Sequence, residues 1–90
     1  MLDAVKASLR ISQDTTAFDD EIIDLINAAE ADLVMVGVSK AAVTGSDPLI
    51  KRAIISYCKA YFGNDNSDAE RLRACYEMLR NHLSLAEEYR

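Results

Sequence analysis

Apolar residues recur along this chain at intervals of three and four, the period of a helix buried along one side, in four separate stretches. Leu2, Val5 and Leu9 predict a short first helix that needs tertiary support. After a polar interruption over 12–16, Phe18, Ile22, Leu25, Ile26, Ala29, Leu33 and Val36 form one long stripe. Thr16 stands at the N-cap position, Asp19 at the capping-box position, and Gly37 where a terminator belongs. The small residues from Val38 to Ser46 carry no helical period and read as a loop with room for a short extended piece, longer than two packed helices require. Asp47 then caps a third helix opened by Pro48, whose missing N–H costs nothing in the first turn, and Ile50, Ala53, Ile54, Tyr57, Cys58 and Tyr61 supply its apolar face. Gly63 and the polar run to Asp68 end it. Ser67 with Glu70 makes a capping box for a last helix through Leu72, Tyr76, Leu79 and Leu83. The period is lost at Leu83-Ser84-Leu85, so the tail is expected to leave the bundle and reach towards a neighbour.

These elements predict an all-α fold: a single domain over residues 1–90, built as a small bundle of about four helices with a long loop between the second and third. Ninety residues allow one modest core and leave much surface exposed, so subunit contacts would help. No apolar run approaches the roughly 20 residues that span a bilayer, and no basic-then-apolar leader opens the chain. The expectation is an intracellular, soluble protein without a membrane role.

Charge sharpens the picture. The net charge of -5 argues against an autonomous nucleic-acid binder. Between Arg10 and Lys40 there is no basic residue, while Asp14, Asp19, Asp20, Glu21, Asp24, Glu30 and Asp32 all fall in that interval. Such a run ordinarily solvates a helix face; the alternative is a surface that repels phosphate or meets a basic partner.

Catalytic chemistry finds no foothold. Cys58 and Cys75 lack a CxxC partner and read as small core residues, and His82 is the only histidine. The acidic loop beginning at Asn64 fails as a calcium loop, because Ala69 stands where glycine is needed and Cys75 where the bidentate glutamate belongs. The acid pairs lie in polar runs with no implied apolar pocket, and the three glycines are isolated rather than phosphate-cradling. No catalytic residue, cofactor or metal ligand is assigned. Lys51, Arg52 and Lys59 on the third helix are too few for a helix-turn-helix reader and read as a solvated face or a contact for acidic groups.

The sequence of Lys6, Leu9-Arg10-Ile11, Asp14, the Asp19-Asp20 pair, Ile22, Leu25, Ile26, Ala28, Ala29 and Glu30 resembles the small head-tail connector proteins of tailed bacteriophages and prophages. The likeness continues through Gly37, Pro48, Ile50-Lys51-Arg52-Ala53-Ile54, Tyr57, Tyr61, Tyr76 and Leu79. The resemblance implies a non-enzymatic virion adaptor that forms a ring under the portal and joins head to tail. It also implies contacts with the portal protein, a head-closure or tail protein and further copies of itself, with double-stranded DNA passing through the ring unread. Its place would be the head-tail joint of the virion, and the host cytoplasm during assembly.

Within that frame Asp19, Asp20, Asp24, Glu30 and Asp32 are candidates to face the channel, and Lys51, Arg52 and Lys59 to contact an acidic neighbour. The first helix and residues 83–90 are candidates for portal or neighbour contacts. The alternative is a small helical dimeric interaction or regulatory protein, and a DNA-binding regulator ranks third.

Overall fold

A computed structural model of the chain describes residues 1–45, 47–62 and 68–90. Within them lie helices α1 (Leu2–Ser8), α2 (Asp19–Met35), α3 (Lys40–Thr44), α4 (Pro48–Tyr61) and α5 (Ala69–Leu85), and a closing 3-10 turn at Glu87–Tyr89, with no strand among the described residues. The fold is all-α, as the periodicity predicts. α4 is central: it packs most extensively on α5 and also touches α1 and α2. Ile22, Ala29 and Leu33 of α2, Ala53, Ile54 and Cys58 of α4, and Val5 and Leu83 are fully sealed from solvent and form one core. Gly63 as terminator and Ser67 as cap fall outside the described residues; Asp68 occupies the N-cap position of α5.

Two helices end alike. The amide of Val38 donates to the Leu33 carbonyl and that of Gly37 to Val34, a Schellman closure with Gly37 at φ +105° and Val38 tucked into the core behind it. At α1 the amides of Ile11 and Arg10 repeat the pattern on the carbonyls of Lys6 and Ala7. There the left-handed position is held by Arg10, at φ 61°, where glycine would be unstrained.

Three expectations are corrected. Thr16 does not cap α2, because the helix starts at Asp19, with Phe18 at the N-cap, and Thr16 contributes only its carbonyl to the Asp19 amide. The Asp19 carboxylate is drawn instead to Lys6, whose ammonium lies 2.9 Å away, 2% exposed, and also donates to the Gln13 and Thr15 carbonyls at 3.1 and 2.6 Å. The connection after Gly37 is not extended: Ser39 caps the one-and-a-half-turn α3, its Oγ accepting from the Ala42 amide, so that Val43 reaches the core. The tail does not leave the bundle. α5 runs on to Leu85, and Tyr89 folds back, buried, with its hydroxyl donating to Asp47 Oδ2 at 2.9 Å and its carbonyl accepting from the Ser39 amide at 2.6 Å.

Candidate assembly surfaces

Asp47 behaves as the sequence predicts: Oδ1 accepts from the Leu49 and Ile50 amides at 2.8 and 3.2 Å, with Pro48 following. The cap fixes where α4 begins and hence which residues it turns outward. Ile55 and Tyr57, about 200° apart around the helix, mark two opposite flanks. On the Tyr57 flank α2, α4 and α5 enclose a groove of about 460 Å³; on the Ile55 flank α4, α5 and Ser8 of α1 enclose a cleft of about 480 Å³.

The groove is aromatic and internally wired. Tyr57 stands edge-on to Tyr76, with ring centres 5.0 Å apart, and also contacts Tyr61. The Tyr76 hydroxyl donates to Asp32 Oδ2 at 2.5 Å, and Arg80 Nη1 approaches the same oxygen at 3.3 Å. Burial and then the hydrogen bond to Asp32 drive the Tyr76 hydroxyl far above its ordinary range, so it stays protonated as a donor.

The cleft on the other flank is cationic. Lys51, Arg52 and Lys59 of α4 and Arg71 of α5 line it above an apolar floor of Ile55, Leu72 and the half-buried Cys75, and no acidic residue lines it among those described. A neighbouring pocket shares Lys59 and Arg71 and adds Arg10 together with the acidic Asp68. Five of the chain's ten basic residues therefore gather on one flank of a protein of net charge -5. Arg71 also pairs with Asp68 at 3.6 Å across exposed surface, worth well under about 1 kcal/mol.

The structure brings Lys51, Arg52 and Lys59 together in this cleft and adds Arg10 and Arg71, which sequence reasoning left out. The signal for Arg71 was its spacing four before Cys75, one turn earlier on the same side of α5. The acidic candidates separate. Asp19 is engaged by Lys6 and Asp32 by Tyr76 and Arg80; Asp20 and Asp24 are exposed on α2 and make no ion pair among the described residues, and Glu30 is half-buried.

Burial pushes the Cys58 thiol up to about 12, which leaves it protonated and unreactive. Among the described residues no cluster of His, Cys, Asp or Glu could hold a metal ion, and no helix is long and apolar enough to cross a membrane.

Comparison with known families gives a match to the phage connector protein family over residues 1–90. The chain belongs to that family. No curated protein and no solved structure matches it. The connector family is a structural one, so this chain is a structural component of a phage virion, and its working surfaces are those that meet other head and tail proteins.

Proposed function

We propose that this connector works as a ring-forming adaptor beneath the portal vertex, joining the head to the tail or its closure protein while double-stranded DNA passes through. The family match across the whole chain carries the reading. The charge distribution supports it: a cationic flank confined to the Ile55 side of α4, with exposed acids on α2, suits heterologous contacts, which close into rings when the rotation allows. A net charge of -5 repeated around a ring makes a strongly acidic assembly, against which DNA phosphates do not adhere.

Of the five acidic candidates, Asp20, Asp24 and, half-buried, Glu30 are free to act beyond the subunit. Assembly takes place in the host cytoplasm and ends at the head-tail joint. The test is electron microscopy and native mass measurement of the purified connector, alone and mixed with the portal protein of its own phage. The expected result is a ring stacked coaxially on the portal. A stable dimer that ignores the portal would replace this reading with that of a dimeric regulatory protein, and DNA binding with a steep salt slope would favour a regulator of transcription.

A further inference from the structure

The α4–α5 cleft is built to receive something of mixed character. Its floor is apolar and its rim carries Lys51, Arg52 and Arg71, with Lys51 and Arg52 in no ion pair among the described residues. Like charges placed close together on a small domain repel one another, so a rim of this composition is a standing cost to the free subunit unless an acidic partner neutralises it. Arg10 adds a second, independent cost. It sits at φ 61° in a helix closure where the equivalent position of α2 carries glycine, and its side chain joins the same flank. A strained backbone position that keeps an arginine points to a use for the side chain.

An occupant with matching chemistry lies on this chain. The outer face of α2 presents Asp20 and Asp24 one turn apart, with Ile23, 40% exposed, beside them on the helix surface. An apolar residue flanked by two carboxylates is the complement of an apolar floor rimmed by cations. Tyr57 of α4, together with Ala28 and Ala31 of α2, lines the groove on the flank opposite the cleft. Ridge and cleft therefore face different ways, and the ridge of one copy is free to enter the cleft of the next without satisfying its own.

We infer that the cation-lined cleft between α4 and α5 receives the Asp20–Ile23–Asp24 ridge of α2 from a second copy of this chain. The inference rests on the proposed ring and names its subunit contact. The contact is heterologous, so it propagates from copy to copy. It gives Asp20 and Asp24 a place at the subunit boundary, leaving the acidity of the channel to the assembly as a whole.

The test uses two full-length variants, Lys51→Glu with Arg52→Glu, and Asp20→Lys with Asp24→Lys. All four positions are exposed, and circular dichroism checks that each variant keeps its helices. Sedimentation velocity over a wide concentration range should show assembly of the wild type. Each variant alone should associate at least about tenfold more weakly, because matching charges now meet. A 1:1 mixture should recover assembly, since each variant's ridge then complements the other's cleft.

Assembly unaffected by either reversal overturns the contact while leaving the ring standing. A wild type that stops at a dimer, lost in each variant and regained in the mixture, keeps the contact and removes the ring. A wild type that stays monomeric at millimolar concentration, with no concentration-dependent amide shifts on either flank, overturns the contact. So does a cleft reversal whose sole effect is to abolish salt-sensitive binding of DNA.

Discussion

At the N-terminal end a buried ammonium does the fastening: Lys6 of α1 reaches Asp19 at the start of α2 and two carbonyls of the intervening turn. At the C-terminal end the work falls to a phenol, Tyr89, which clasps Asp47 while that residue caps α4. Both devices join segments that are too short to hold themselves. They differ in what happens when one partner is lost. A charge sealed from water is expensive to leave without its counter-ion, whereas a neutral hydroxyl at the edge of the core can find water. The latch is therefore sensitive to which residue is removed, and the clasp to pH.

The sharpest way to break the comparison is Asp19→Ala. It leaves the Lys6 ammonium, 2% exposed, with two carbonyls and no carboxylate, and should cost about 3 kcal/mol or more in chemical denaturation. Lys6→Met removes the charge along with its need for a partner, and its unbranched chain follows the same path between α1 and α2. Its cost should be smaller, about 1–2 kcal/mol, coming from the carbonyls of Gln13 and Thr15 and from an Asp19 carboxylate that loses its cation but keeps part of its side chain in water. If the two variants cost the same, the charge of Lys6 is not what makes the latch strong.

A smaller effect, and one with a pH signature, is expected from Tyr89→Phe. Desolvation pulls the Asp47 carboxyl upward, but the hydrogen bonds from Tyr89 and from the Ile50 and Leu49 amides together hold it below its usual 3.8. A depressed carboxyl stabilises the fold above the unfolded value, and that contribution drains away as pH falls below about 3.8 through the folded one. Tyr89 runs the other way. The hydrogen bond to Asp47 raises its hydroxyl above 10, so its contribution is complete below 10 and is lost as pH climbs through the raised value. Thermal melts across both limits should show Tyr89→Phe flattening the alkaline arm and part of the acid arm. An unchanged alkaline arm would assign that loss instead to Tyr76 and Tyr57, whose hydroxyls are both raised first by burial.

The four periodic stretches, the Asp47–Pro48 start and the Gly37 stop were legible because each rests on local rules: apolar spacing, a side chain that caps, a residue that tolerates positive φ. Non-local pairings were not. Lys6 falls three and four residues from Leu9 and Leu2, on the apolar side of α1, yet as a lysine it was not counted into the stripe, and its partner thirteen residues on could not be read from spacing. Tyr89 likewise anchors a tail whose helical period had ended, through a hydroxyl bond to a residue 42 positions away. The short α3 was missed because five residues are too few to show a period. Of the candidate site residues, the cations of α4 lie on one flank as their spacing implied. The acids divide by tertiary pairing: Asp19 and Asp32 carry partners within the subunit, whereas Asp20 and Asp24 make no ion pair among the described residues.

The smallest expected effect is also the one that separates folding from assembly. Arg10→Gly removes a left-handed arginine from the end of α1 and should stabilise the subunit by about 0.5–1 kcal/mol, since glycine takes that conformation freely and the two Schellman hydrogen bonds come from backbone atoms. The same substitution subtracts one cation from the flank that carries Lys59 and Arg71. A structural role alone would leave assembly untouched or improved. If the flank is a contact for an acidic neighbour, a subunit that melts later should nevertheless associate less tightly, and Gly37→Ala at the matching end of α2 should do the reverse of the first effect without the second, destabilising by about 1 kcal/mol through its positive φ. Opposite signs for stability and assembly in one variant would locate the reason an arginine stands where glycine fits better.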